Sequence, residues 1–151
     1  MNSIDDTLTK DETIIYRTKC HYAIFFGPML LIFLGGLALK SQGPHAMALM
    51  AFGLLWGIFS YLSFRRSEIG LTQRRVLINA GFPLVKFSDV PLNKIVTIEF
   101  FQPALGAMLD FGKLAIVHDG RNKCIIRFVP SPAVFVTRVR QQMTTLSLPV
   151  V

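Results

Sequence analysis

Two long stretches without a formal charge restrict what this 151-residue chain can fold into. They are residues 22–39 (YAIFFGPMLLIFLGGLAL) and residues 46–64 (AMALMAFGLLWGIFSYLSF). At a rise of about 1.5 Å per residue, each gives a helix of roughly 27–29 Å, which matches a hydrocarbon core of about 30 Å. The residues between them, KSQGPH, are polar or favour turns. The pattern predicts a hairpin of two antiparallel transmembrane helices.

Two other interpretations of these stretches agree less well with the sequence. A cleaved signal peptide has a shorter apolar part, whereas here about twenty residues with a net acidic balance precede the first stretch and a second stretch follows. Buried helices of a soluble domain usually have a polar face, and these have almost none. The low content of charged residues, 17%, also favours a membrane protein.

The basic residues that flank the two stretches predict the orientation of the hairpin. The turn carries only Lys40, and the opposite side carries Arg17, Lys19, Arg65, Arg66, Arg74 and Arg75. Because basic residues favour the cytoplasmic side, we expect a multi-pass protein of the plasma membrane with both termini in the cytoplasm. Residues 65–151 carry a net charge of +7, which would attract anionic headgroups at short range.

Short alternating runs follow the second stretch and predict antiparallel strands. The period of two is clear in residues 111–118, where Leu114 and Ile116 share one face. Asp119 and Gly120, followed by Asn122, indicate a hairpin turn. The predicted strands are SEIGLT, RVLINA, LVKFSDV, KIVTIEFF, FGKLAIVH and KCIIRFV. Residues 101–110 (FQPALGAMLD) are less regular and predict a short strand and a loop.

The last segment, VPSPAVFVTRVRQQM, predicts an amphipathic helix that covers the sheet. Ser131 is the expected N-cap and Pro132 the first helical residue. The predicted organisation is an N-terminal cytoplasmic segment (1–21), the hairpin (22–64), a domain of strands and one helix (65–145) and a tail (146–151).

Three segments resemble the bacterial pleckstrin-homology-like domain family over about residues 67–143: EIGLTQRRVLINAGF, VPLNKIVTIEFFQPALGAMLDFGKLAIV and IIRFVPSPAVFVTRVRQ. The matching positions are Leu71, Thr72, Arg75, Gly81, Pro91, Leu92, Ile95, Gly112 and Pro132. Asp110 stands where the family often has glycine. The resemblance implies an α+β membrane protein: a two-helix hairpin followed by a seven-stranded, partly open antiparallel barrel or sandwich, capped by a C-terminal helix.

No catalytic constellation is recognisable, and we expect no enzyme, metal site or cofactor. His21, His45 and His118 fall in separate parts of the predicted topology, so they cannot converge on one metal. No zinc-finger spacing or aromatic-basic signature indicates nucleic acid. The resemblance implies a binding module for a protein partner, for lipid headgroups or for copies of itself. The alternatives are a subunit of an oligomeric channel, against which the uncharged helices argue, and an enzyme with an unrecognised site.

Four arginines are the candidate contacts with headgroups or a partner. Arg65 and Arg66 end the second apolar stretch and can extend to the headgroups. Arg74 and Arg75 stand in the first predicted strand turn, the region through which some eukaryotic relatives bind phosphoinositides; the alternative is that they are solvated surface charges. Gly53 and Gly57 form a GxxxG spacing, for which the interpretations are dimerisation, packing within the hairpin, or no role.

Overall fold

The computed structural model describes residues 4–80, 86–120 and 122–147, which form two long apolar helices, two antiparallel sheets and two further helices. The helices are α1 (Phe26–Gln42), α2 (Pro44–Arg66), α3 (Ala104–Leu109) and α4 (Pro132–Ser147). The strands are β1 (Ile14–Lys19), β2 (Glu68–Thr72), β3 (Arg75–Ala80), β4 (Lys86–Pro91), β5 (Ile95–Phe101), β6 (Phe111–His118) and β7 (Asn122–Pro130). Short 3₁₀ turns occupy Ile4–Thr7, Tyr22–Phe25 and Leu92–Lys94.

The two apolar helices form the predicted antiparallel hairpin, with a tighter connection than expected. α1 begins after a 3₁₀ turn and continues to Gln42, and α2 begins at Pro44. Gly43 alone joins them, with φ of 39°, a value that glycine adopts at little cost. Pro44 suits the first helical position because its missing N–H has no partner there. By length and composition both helices can cross a membrane, and they are mostly exposed.

Small residues let α1 and α2 approach each other closely. A Cβ added at Gly53 would lie 2.9 Å from Cγ1 of Ile32, and one at Gly35 would lie 2.6 Å from Cγ of Met50. Gly57 also faces α1, where an added Cβ would lie 3.7 Å from Cβ of Pro28. Both glycines of the GxxxG spacing therefore face α1, which agrees with packing within the hairpin.

The first sheet has the strand order β1-β2-β3-β4, and β1 comes from the N-terminal segment. Arg17 lies opposite Gly70, and Lys19 lies opposite Glu68. The sequence predicts residues 1–21 as a segment separate from the domain. In the structure, β1 of this segment is a strand of the first sheet of the domain. The hairpin is consequently inserted between two neighbouring, hydrogen-bonded strands.

The second sheet has the strand order β5-β6-β7. The predicted turn between β6 and β7 is confirmed, since His118 pairs with Asn122 and both Asp119 and Gly120 have positive φ. Among the strands described here, no pairing joins the two sheets, so the barrel is not closed. Two predicted features, Gly81 and the start of the LVKFSDV strand at residues 84–85, lie outside the described residues.

The core lies between the sheets and under α4. Helix α4 packs against β5 and β6, as its amphipathic pattern predicted. Each fully buried Leu, Ile, Val or Phe stabilises the fold by roughly 1.5–3 kcal/mol. The largest buried side chains of this cluster are Leu71, Val76, Ile78, Val90, Leu92, Leu114, Ile116, Val129, Phe135 and Val139.

The prediction for residues 101–110 was wrong, because most of this segment is the helix α3. Apart from Gly106, its residues have good helix propensity, but the segment carries no polar face that would reveal a helical period. Asp110 ends the helix with φ 55° and ψ 45°, the left-handed conformation that glycine readily adopts. Helix α4 begins at Pro132 as predicted, and Ser131, directly before it, donates its hydroxyl hydrogen bond to the carboxylate of Asp110.

Candidate functional site

The four candidate arginines lie at opposite ends of β2. Arg65 and Arg66 end α2, next to the first residue of this strand, whereas Arg74 and Arg75 follow its last residue. Five residues of strand span roughly 16 Å. The structure therefore separates the arginines into two pairs. We call the end of the sheet at Arg65 the hairpin end and the end at Arg74 the far end.

At the far end, Arg75 is surrounded by acceptors from three parts of the chain. Its Nε and Nη2 donate to the carboxylate of Glu12 at 2.9 Å and 2.6 Å. Its Nη1 donates to Asp89 in β4, and its Nη2 donates to the carbonyl of Thr7 at 3.1 Å. These partners raise the pKa of Arg75, chiefly through the hydrogen bond to Glu12. Its guanidinium therefore holds the N-terminal segment against the sheet.

The acidic partner of Arg75 is Glu12, which the sequence did not indicate as a site residue. Its side chain is only 8% exposed. Oγ1 of Thr72 donates to its Oε1 at 2.6 Å. The hydrogen bond from Arg75 is the main cause that lowers the pKa of Glu12 from 4.5 to about 2. The hydrogen bond from Thr72 also lowers this pKa, and desolvation opposes the shift. The opposite net charges of residues 1–21 and 65–151 were the only sequence signal for this pairing.

A polar cleft of about 360 Å³ opens beside this network. It is lined by residues of the N-terminal segment and of the β2–β3 turn, including Asp11, Gln73 and Arg74. The side chain of Arg74 is exposed. Because the cleft combines acidic and basic groups at the far end of the sheet, it suits a peptide or protein surface better than a bare anion.

At the hairpin end, Glu68 engages the basic residues of β1. Nη2 of Arg17 lies 2.9 Å from Oε2 of Glu68 and 3.2 Å from Oδ2 of Asp5. Glu68 is the main cause of the raised pKa of Arg17. Arg65 and Arg66 are both exposed, and Arg65 lies 5.9 Å above the ring of Tyr61. Within the described chain, this arrangement leaves two exposed cations at the last turn of α2.

Histidine and aromatic residues join the hairpin to the second sheet. The ring of His21 stacks on Phe111 with centroids 5.4 Å apart, and its backbone N–H donates to the carbonyl of Phe128 at 2.7 Å. Nδ1 of His21 accepts from the N–H of Ala23, at the start of the turn that leads into α1. His21 therefore has a structural role, because it connects the base of the hairpin to the second sheet.

Two clefts lie where α2 meets the domain. One, of about 250 Å³, is almost wholly apolar and lies between the hairpin, at Phe26 and Trp56, and α3, at Leu105 and Leu109. The other, of about 470 Å³, lies between α2 and β7 and includes Arg127. Across residues 4–80, 86–120 and 122–147, no three His, Cys, Asp or Glu residues are grouped so that they could hold a metal ion.

Comparisons with known proteins find one matching family model and similar solved structures. The model of a family described as the bacterial PH domain matches residues 29–143, which include most of the hairpin. The Vps36 N-terminal PH domain is similar at 12% identity and a TM-score of 0.49, over 92% of this chain and 84% of that one. A DUF1696-family protein with a pleckstrin-homology domain from Shewanella loihica PV-4 is 16% identical with a TM-score of 0.38, over 56% of this chain and 74% of that one. A search of curated proteins finds no match.

Proposed function

The chain belongs to the bacterial PH domain family, and on that premise we propose that it is an integral membrane protein whose hairpin anchors a cytoplasmic binding module. PH-like domains are mostly binding modules rather than enzymes, which supports a non-catalytic function. The fold alone does not define the ligand, so the proposal depends on the hairpin and on the two ends of the sheet.

The observation that carries the proposal is the exposed apolar hairpin between β1 and β2. Large apolar side chains point outward along both helices: Phe33, Leu37, Phe52, Leu54, Leu55 and Ile58 are examples. Apolar surface in water costs roughly 25 cal/mol per Å², and a continuous patch of this kind marks a membrane or protein contact. The lengths of both helices fit the bilayer.

The pairing of β1 with β2 supports a definite arrangement in the membrane. Because these antiparallel strands are neighbours and Lys19 pairs with Glu68, the hairpin leaves the sheet and returns to it at the same end. Both ends of the hairpin then lie on one side of the bilayer. We assign that side to the cytoplasm because Arg65 and Arg66 are basic, and we propose that these two residues contact lipid headgroups.

The far end of the first sheet is then the surface available for binding a partner. The polar cleft at Arg74 faces away from the hairpin and carries groups of both signs. We propose a protein partner for this cleft, since Arg75 is already neutralised by Glu12 and Asp89. Capture of the full chain from native membranes, followed by identification of the bound proteins, tests this assignment; recovery of the chain with itself alone would replace the partner by a second copy.

Reporter fusions test the anchor and its orientation. A fluorescent protein fused after Val151 should be active in the cytoplasm, and alkaline phosphatase at the same point should be inactive. Phosphatase inserted after Gly43 should be active. An active phosphatase at the C-terminus, or recovery of the chain in the soluble fraction, would overturn the proposal.

A further inference from the structure

Helix α3 presents apolar side chains to the exterior of the domain. Met108 is 82% exposed, Leu105 is 58% exposed and Leu109 is 52% exposed. Phe101, directly before the helix, is exposed as well. Residues 101–109, the α3 segment, contain no charged residue. An exposed apolar group of this size requires a covering partner or a lipid environment.

Tight packing on its inner side fixes the α3 segment in this orientation. A Cβ at Gly106 would collide with the carbonyl oxygen of Phe111 and approach Cδ of Pro103 to 2.9 Å. A Cβ at Gly112 would lie 2.7 Å from the carbonyl oxygen of Phe101. Because these glycines bring the backbones together, the helix cannot turn its leucines inward without breaking the end of the second sheet.

The α3 segment lies level with the apolar part of the hairpin. Leu105 and Leu109 share a cleft with Trp56 of α2. Trp56 precedes Arg66 by ten residues, so it lies about 15 Å along the helix from the charged end. If Arg65 and Arg66 are at the headgroups, this cleft is on the hydrocarbon side of them.

The length of α2 also indicates that the α3 segment lies at the depth of the hydrocarbon core. Only the residues from Pro44 to Leu55 precede the part of α2 that borders the domain at Trp56. Twelve residues of helix span about 18 Å, which is less than the roughly 30 Å of a hydrocarbon core. The hairpin can cross the bilayer only if the part of the domain that carries α3 enters the hydrocarbon core.

We propose that the α3 segment is a third membrane-embedded element, which inserts Phe101, Leu105 and Met108 among the acyl chains beside the hairpin. The proposal rests on the membrane anchor proposed above. An apolar helical face that lies in the interface is buried by about 5–10 Å. Among the described residues that line the neighbouring cleft between α2 and β7, Arg127 is the one charged residue. It would be placed to contact a lipid phosphate.

Site-directed fluorescence in vesicles tests the proposal with the full chain. The two cysteines are replaced (Cys20→Ala and Cys124→Ala), and single cysteines are introduced as Met108→Cys, Leu105→Cys, Leu34→Cys or Leu146→Cys. Each variant carries an environment-sensitive dye and is reconstituted with or without lipids that are spin-labelled on the acyl chain. Leu34 reports on the middle of α1, and Leu146, an exposed leucine near the end of α4, is the matched control.

The expected result is a shift of emission to shorter wavelength and quenching by spin-labelled lipid at positions 34, 105 and 108, with neither at 146. Quenching at 34 together with a water-like spectrum at 105 and 108 would overturn the α3 proposal and leave the anchor standing. A shielded but unquenched dye at 108 would also overturn it, because protein would then cover the helix. A water-like spectrum at 34 would overturn both the anchor and the α3 proposal.

Discussion

The guanidinium of Arg75 holds the carboxylate of Glu12 through two nitrogens, across 63 positions of sequence. Glu12 lies just before β1, and Arg75 is the first residue of β3. The pair therefore fixes the N-terminal segment against the first sheet, and with it the strand from which the hairpin departs. This contact assigns Arg75 to the stability of the domain and leaves Arg74 as the exposed arginine of the turn.

Loss of the Arg75–Glu12 contact should destabilise the domain. A hydrogen bond to a charged group contributes about 1.5–3 kcal/mol, so we expect Arg75→Ala to lower the free energy of unfolding by about 2–3 kcal/mol. Arg74→Ala, in the same turn but exposed, should change it by less than about 0.5 kcal/mol. Urea unfolding in mild detergent, followed by circular dichroism, measures both. Equal losses in the two variants would contradict the assignment.

The same pair should make stability depend on acid pH. The folded pKa of Glu12, about 2, lies below its ordinary value of 4.5, so its stabilisation is complete above about pH 4.5 and is lost as the pH falls toward 2. We expect the stability of the native chain to fall across this window. In Glu12→Gln the fall should be smaller by about 2–3 kcal/mol. Identical pH profiles would show that Glu12 keeps its ordinary pKa.

The glycine contacts between α1 and α2 should tolerate no side chain. Gly53→Val places methyl groups against Ile32 and should destabilise the hairpin by about 1–3 kcal/mol, as overpacking does. Gly36→Val is the matched control, because a Cβ there meets no atom within 4 Å. Thermal unfolding in detergent compares the two. If Gly53→Val abolishes self-association while leaving stability intact, the GxxxG spacing serves dimerisation instead.

Arg65 and Arg66 should hold anionic lipid at the end of α2. Each arginine near a membrane surface contributes about 1 kcal/mol, so the double variant Arg65→Ala with Arg66→Ala should retain several-fold less anionic lipid after purification. Arg74→Ala should retain the native amount, because this residue lies at the far end of β2. Mass spectrometry of the extracted lipid gives the ratio. A comparable loss in Arg74→Ala would mean that the far end of the sheet also reaches the membrane.

Much of the fold was predictable because its signals are local. The hairpin follows from uncharged length, and β2, β3, β5, β6 and β7 follow from alternation and turn residues. The strand β1 (IIYRTK) was missed because its partner, β2, lies beyond the whole hairpin. Helix α3 was missed for a different reason: with apolar residues on every side, it shows no helical period. Asp110 adopts the conformation that the glycine of the family would supply.

The candidate site was less predictable than the fold. The sequence already predicts two pairs of arginines with a strand between them, and the structure has β2 at that position. The structure further separates Arg75 from Arg74, because acceptors on four residues surround the first and the second remains exposed. Arg74 and Arg75 are adjacent in the sequence, and the sequence does not indicate that they differ. The difference depends on Glu12 and Asp89, which come from distant parts of the chain.

The insertion of α1 and α2 between two paired strands has a consequence for biosynthesis. A nascent β1 has no partner until the ribosome has made both helices and β2, so β1 can join the first sheet only after the whole hairpin has been synthesised. Under the proposed membrane anchor, a chain in which one helix failed to insert would have β1 and β2 on opposite sides of the bilayer, where they could not pair. The pairing of β1 with β2 would then depend on correct insertion of both helices.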